Sequence, residues 1–331
     1  MDPISQGALG AAAAQTQSTR ERIVAFTWFG ALAGMAPDLD VFIQSPTDPL
    51  LFLEFHRHFT HALVFIPIGA LIVSAALFKL VRHPLTFRQA YLAAFMGYAT
   101  HALLDACTSY GTQLLWPFTN QRFAWNNVSV VDPLFTLPLL ACVVYAAWNK
   151  VPRVAVYGLI WALFYLSLGA VQLHRATDSA QALAESRGHT PLRLTMKPSF
   201  ANLIVWKSIY EYQGYYYVDG IRTGLNTSWC PGERVVKLDV ARHFPELSPS
   251  SQQATDIERF RWFSDDYLAL YDGDVVDMRY SMVPNEVDPM WGLKIDPGKA
   301  DDAHVSWFSE RALSPAKRSA FGDMLTGNSC P

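Results

Sequence analysis

Six carboxylate and imidazole side chains fall in three short stretches of the first third of the chain. Asp38 and Asp40 close an apolar segment in GMAPDLD, His56 and His61 lie in EFHRHFTHAL, and His101 and Asp105 lie in ATHALLDACTSYG. Carboxylates and imidazoles together are the ligand set of a hydrolytic divalent-metal site. His101 and Asp105 are four residues apart, so on a helix they share a face and can bind one ion. Asp38 and Asp40 follow Pro37, which ends a regular helix, and two carboxylates this close repel unless a cation lies between them. His56 and His61 are five apart, a spacing that suits a loop running into a helix start. His58 ranks below them as a neighbour. Arg57 is either a snorkelling charge or a clamp on a phosphate or carboxylate oxygen. Asp132, in SVVDPLF, is an extra ligand, a general base, or a helix cap before Pro133.

A membrane would have to position these groups. Apolar segments near the length of a bilayer span, roughly 20 residues, run Ile23 to Ile43, Ala62 to Val81, Gln89 to Cys107, Val131 to Trp148 and Val154 to Leu173. The expected fold is therefore an all-α membrane domain of about five transmembrane helices over residues 1–175. Arg20, Arg22, Lys79, Arg82, Arg88, Lys150 and Arg153 fall in alternate loops, whereas the other loops hold only Arg57 and Arg122. The positive-inside rule then makes the N-terminus cytoplasmic and puts residues 176–331 outside the cytoplasm. In that topology every candidate ligand lies at the outer end of a span. Ionisable residues beside a span are costly and mark function. The N-terminus lacks a basic region followed directly by an apolar core, so the first segment reads as an uncleaved helix.

Composition agrees with a membrane half and a soluble half. Hydrophobic residues are 51% and charged residues 17% of the 331, and the charge is concentrated in the second half. A net charge of −3 without a basic patch argues against nucleic-acid binding. The four cysteines include no CxxC, which argues against a thiolate zinc site, and no GxSxG elbow occurs.

From about Leu192 the pattern changes to a small α+β domain of 176–331. LIVWKSIYEYQGYYYVDGIRTG reads as strand, turn, strand; RVVKLDV and YLALYDGDVVDMRYSMV add strands, the latter with a DG turn. SSQQATDIERFRWF and SPAKRSAFGDML read as helices. This domain carries no ligand pattern and is expected to cover the site or recruit substrate. Cys230 and Cys330 lie in polar turns and could form a disulfide in an oxidising compartment, whereas Cys107 and Cys142 belong to apolar segments.

GALAGMAPDLD, EFHRHFTHAL and HALLDACTSYGTQLLWPF, with the opening DPISQGALGAA, resemble the YdjM-like family of inner-membrane-associated metal-dependent hydrolases. His58 and Ala62 stand where that family's HRGxTHS has glycine and serine. The resemblance implies a multi-pass protein of the bacterial inner membrane. It also implies, weakly, phosphoester chemistry. The resulting expectation is a hydrolase of an ester or phosphoester, possibly lipid-linked, acting at the outer face beside membrane lipid. Asp38, Asp40, His56, His61, His101 and Asp105 would hold divalent metal, zinc by preference, with Arg57 and Asp132 as catalytic groups. The alternative is a non-enzymatic membrane metal-binding or scaffold protein that docks a partner through its soluble domain. An ion transporter ranks last, because spans two, four and five carry almost no ionisable groups.

Overall fold

The computed structural model describes residues 1–80 and 83–328. Val81 and Arg82, at the end of the second expected span, and Cys330, half of the expected disulfide, lie outside the described residues. The chain divides into two compact units. One comprises Met1–Phe42, Phe55–Val171 and Phe200–Asn202; the other comprises Ile43–Glu54, Gln172–Ser199 and Leu203–Pro331.

The helical elements are α1 Pro3–Gln15, α2 Ile23–Met35, α3 Leu51–Phe55, α4 Ile66–Leu80, α5 Phe87–Ala106, α6 Pro133–Asn149 and α7 Arg153–Ser186. Only two stretches are long and apolar enough to cross a membrane, Leu63–Leu80 and the first part of α7, so the expectation of about five spans is corrected to two among the described residues. The first expected span fails because α2 ends at Met35 and the chain tightens into a 3-10 turn over Ala36–Phe42. α5 is long enough, but Arg88, His101 and Asp105 dilute it. α6 has 17 residues and is shorter than a span.

The opening helix α1 was not foreseen. Asp2 caps it by accepting from the backbone of Ile4 and Ser5, and Pro3 occupies its first turn. Its Gly/Ala run then lets backbones meet. A Cβ on Gly10 would lie 2.5 Å from the Gly30 carbonyl oxygen, and one on Gly97 would lie 2.1 Å from that same atom. Small residues at such a crossing permit close helix packing, which an apolar solvent cannot otherwise drive. α1, α2 and α5 therefore lock together at Gly10, Gly30 and Gly97.

α1 also spans the helical unit from end to end. Asp2 donates its N–H to Val130 O, and Ser5 and Thr136 share a hydroxyl hydrogen bond, so α1 and α6 begin at the same end of the helical unit. Arg20 and Arg153 meet at the opposite end, where they line one polar pocket. The chain thus starts away from its basic loops.

The second unit is sheet-rich. β1 Arg193–Pro198, β2 Val205–Tyr212, β3 Tyr215–Thr223 and β4 Thr227–Cys230 form an antiparallel sheet in that order, and β5 Arg234–Val236 also pairs with β3. α8 Val240–His243 and α9 Gln252–Phe263 follow, then β6 Leu268–Tyr271, β7 Asp274–Asp277, β8 Trp291–Lys294 and β9 Ser306–Ser309 as a second antiparallel sheet, and α10 Pro315–Thr326. The β2–β3 hairpin turns at Gln213–Gly214 and the β6–β7 hairpin at Asp272–Gly273, all four residues at positive φ, as tight hairpins require. Ile209, Tyr216, Val218, Tyr267, Val276 and Met278 pack one core. Segment Ile43–Glu54 belongs to this unit because Asp48 and Glu54 both pair with Arg259 of α9. The strands expected from YYYVDGIRTG and DVVD are present, as are both helices; β1, β4, β8 and β9 were not foreseen.

The glycine crossing generates a stability prediction. Gly97→Ala should destabilise the helical unit by roughly 1–3 kcal/mol, because the new methyl meets a backbone carbonyl that cannot rotate away. Thermal unfolding in detergent should show a lowered midpoint, and a wild-type midpoint would contradict the packing described.

Candidate metal centre

α5 begins with a reciprocal capping box between Thr86 and Gln89, which sets its register. That register puts His101 and Asp105 on one buried face. Asp38 and Asp40 come from the 3-10 turn after Pro37, and His61 from the short turn Phe59–His61. Tyr98 of α5 donates its hydroxyl to Thr60 O at 2.8 Å, tying that turn to α5. Its ring lies against Gly69, where a Cβ would come within 2.3 Å of it.

These elements converge on one point. His61 Nε2 and His101 Nε2 are 2.9 Å apart. Asp38 Oδ1 lies 3.5 Å from the first and 3.4 Å from the second. Asp105 Oδ2 lies 3.3 Å and 3.6 Å from the same two nitrogens. His61, His101 and Asp105 are buried, and Asp38 is 24% exposed. Asp38, His61, His101 and Asp105 form one group that could hold a metal ion, and Asp38, Asp40 and His56 form a second.

The imidazole tautomers follow from their other partners. His101 Nδ1 is 2.6 Å from Gly34 O, which can only accept, so Nδ1 carries a hydrogen and Nε2 is the nitrogen turned to the quartet. His61 Nδ1 faces Asp40 Oδ2 at 3.2 Å and Thr60 Oγ1 at 2.9 Å. Thr60 donates its own hydrogen to Asp40, so Nδ1 donates as well and His61 also turns Nε2 to the quartet. Two Nε2 atoms facing each other beside two carboxylates call for a proton or a metal ion between them. With a proton in that role, burial pushes the His61 imidazole down, but hydrogen bonds to Asp105, Asp38 and Asp40 outweigh it and raise it to about 10.

Around this quartet the partners are directional. Asp40 accepts from His56 Nδ1 at 2.7 Å, Arg57 N at 2.9 Å and Thr60 Oγ1 at 2.9 Å, besides its contact with His61. It thereby holds both histidines of the turn. Arg57 is buried at positive φ, with Nε 2.9 Å from Asp105 Oδ2 and Nη1 donating to Thr108 Oγ1 at 2.8 Å. The snorkelling alternative for Arg57 is thus ruled out. His58 packs against Phe55 and Trp116 instead of joining either ligand group. Of the loop Thr108–Phe118, Gln113 donates its N–H to Arg57 O, and Leu114 accepts from Leu63 N.

Asp132 does not reach the quartet. It caps α6 by accepting from Leu134 N and Phe135 N, and both its oxygens accept from Tyr165 Oη, at 2.9 and 2.8 Å. Its full engagement as a cap replaces the expected general-base role. Gln6 was missed. It is buried on α1 and donates Nε2 to Asp105 Oδ1 at 2.8 Å and to His101 O at 3.3 Å, and the Met1 α-amino group pairs with Asp105. A lone glutamine inside a Gly/Ala helix was the available signal.

No solved structure matches this chain. YfhP of Bacillus subtilis (strain 168), an uncharacterised protein, is 23% identical over 263 residues, covering 75% of this chain and 76% of that protein. The profile of the family described as YdjM inner membrane protein matches residues 1–176. That match spans more than half of the chain, includes every residue of both ligand groups, and shows that the chain belongs to the YdjM inner membrane protein family.

Proposed function

We propose that the chain is a membrane-bound metal-dependent hydrolase of ester or phosphoester bonds, with zinc as the preferred ion. The observation that carries this reading is the pair of facing Nε2 atoms of His61 and His101 enclosed by Asp38 and Asp105. Five measured edges of the quartet run from 2.9 to 3.6 Å. A tetrahedron with metal–ligand bonds of 2.0–2.2 Å has edges of about 3.3–3.6 Å. Four of the five edges fall in that range and the His61–His101 edge is shorter, so a small opening of the two imidazoles would suit the N2O2 donor set to zinc.

Bound there, the ion would supply Lewis-acid polarisation and activate water near neutral pH. The protein's own groups account for the rest. Gly34 O and Asp40 hold the two imidazoles in the ligating tautomer, the kind of outer contact that fixes ring orientation. Arg57 balances Asp105 and places a fixed positive charge beside the point where an oxyanion would develop. Asp38 is the solvent-reaching member, so substrate would approach from its side. Asp38 also belongs to the group with Asp40 and His56, and metal held by both groups would supply two-metal phosphoester chemistry.

The second reading is a non-enzymatic metal-binding or scaffold protein. It is favoured by the fact that four protein donors already complete a tetrahedron, which is the habit of structural zinc. A hydrolysis screen of the metal-loaded protein with soluble phosphoesters and carboxyl esters separates the two.

The orientation rests on charge. Arg20, Arg22 and Lys150 in loops, with Lys79, Arg88 and Arg153 at the adjoining helix ends, fall opposite the quartet, so the quartet and the C-terminal unit are assigned to the extracytoplasmic side of the inner membrane. Alkaline phosphatase fused to the C-terminus should be active in a bacterial host; cytoplasmic fluorescence from a C-terminal fluorescent-protein fusion would reverse the assignment.

Elemental analysis tests the site directly. His101→Ala and Asp105→Ala should each lose bound metal, and Asp40→Ala should weaken binding by roughly 10–100-fold by releasing His61. Full metal content in both of the first two variants would overturn the site. A pH dependence follows from His61, whose proton must leave before Nε2 can ligate. Protonation dominates below about 10, so lowering the pH weakens binding. Apparent affinity should rise about tenfold per pH unit for each proton displaced between pH 6 and 9. A pH-independent affinity in calorimetric titration would contradict ligation through His61.

A further inference from the structure

We infer that an apolar groove on the helical unit is the seat of a single lipid acyl chain, whose ester or phosphoester head group would then lie at the Asp38–His61–His101–Asp105 quartet. This inference rests on the hydrolase reading and names its substrate class. The groove encloses about 500 Å³ between α1, α2 and α6. That volume falls within the usual range of small-molecule sites. Gly7 and Ala31 form part of its floor, Val144 one wall, and Trp28 and Trp148 stand at its rims.

Three observations choose an acyl chain over other occupants. The first is chemical. Of the fifteen lining residues only Thr27, Trp28 and Trp148 carry a polar side-chain group, and the Thr27 hydroxyl already donates to Ile23 O and accepts from Gln15, which leaves no side-chain acceptor beyond it. A peptide would bring N–H groups that no side chain beyond Thr27 can accept, whereas a hydrocarbon chain makes no such demand.

The second is continuity with the metal centre. Gly7, in the groove, follows Gln6, whose amide donates to Asp105. α1 therefore lines the groove through Gly7 and touches a proposed ligand through the adjacent Gln6.

The third is direction. The groove runs along α6 from Leu140 to Trp148, on the order of 12 Å at the helical rise. α6 starts level with Ser5, near the quartet, and ends at Trp148 and Lys150, near the basic loops. A lipid with its head at the quartet would thus point its tail into the bilayer. The faces beside the groove carry exposed apolar side chains such as Val24, Leu137 and Tyr145, so lipid could enter from the side.

The test is photolabelling of the full-length protein in nanodiscs. The probe is phosphatidylglycerol carrying a diazirine in one acyl chain, diluted into unlabelled phospholipid, with cross-linked peptides identified by mass spectrometry. Labelling of α1, α2 and α6 peptides should saturate and be competed by unlabelled phosphatidylglycerol. Labelling of the exposed Leu163 face of α7 should stay proportional to probe. Ala31→Phe, which fills the groove from α2, should cut the saturable labelling about tenfold or more, a loss of about 1.4 kcal/mol or more. Val144→Trp fills it from α6 and covers the case in which Ala31→Phe does not fold. Metal content should be unchanged in both, which confirms folding. Non-saturable labelling, or saturable labelling that survives both variants, overturns the groove assignment. Because the readout needs no turnover, it stands apart from the hydrolase reading. If labelling behaves as expected but no metal or hydrolysis is found, the groove holds and the chemistry fails.

Discussion

Two buried imidazole nitrogens that face each other at 2.9 Å need a proton or a metal ion between them. The rest of the helical unit is arranged so that they do face each other. Gly34 O, Asp40, Thr60 and Tyr98 spend their hydrogen-bonding capacity on aiming His61 and His101 at each other. The glycine crossing of α1, α2 and α5 brings the carriers of these groups close enough to do so. Buried charge of this density would be costly if left uncompensated. Arg57 supplies part of the compensation from the protein side. A divalent ion would complete it.

The chemistry was legible in the sequence because metal ligands are few in type and local in spacing. His101 and Asp105 advertise themselves by an i, i+4 interval, and the carboxylates after Pro37 by their proximity. Their convergence was inferred from a topology that was right in one respect and wrong in another. It placed the ligands at one end of the helices, where the structure has them. It took five segments for full spans, and only two among the described residues are long and apolar enough; it also read the opening stretch as a tail, where the structure has helix α1. The reason is physical. α1 has almost no large apolar side chain, so hydrophobicity does not reveal it; its packing rests on missing side chains, and absence at Gly7 and Gly10 carries no local signal.

Asp132 and Asp40 make a similar contrast. Both are aspartates beside proline-marked helix ends. One is exhausted as a cap by two backbone amides and Tyr165. The other sits where two histidines and an arginine amide meet it. Pro133 marks Asp132 as a cap, but the partners that decide the role of each from outside its own turn arrive from 16 to 33 positions away. In the second unit, the hairpin turns at Gln213–Gly214 and Asp272–Gly273 were readable because positive φ leaves a compositional trace. The short strands β4, β8 and β9 leave none.

The quartet draws its members from segments far apart in the chain, Asp38 and His101 being separated by two helices and a loop. An ion bound there would act as a staple, closing a long loop without a covalent bond and narrowing the conformations open to the unfolded chain. Loading and folding would then be one event. A newly inserted chain could not finish assembling α5 against the preceding turn before metal arrived, and a cell starved of that metal would carry a less compact molecule, exposed to quality-control proteolysis, as well as an idle one.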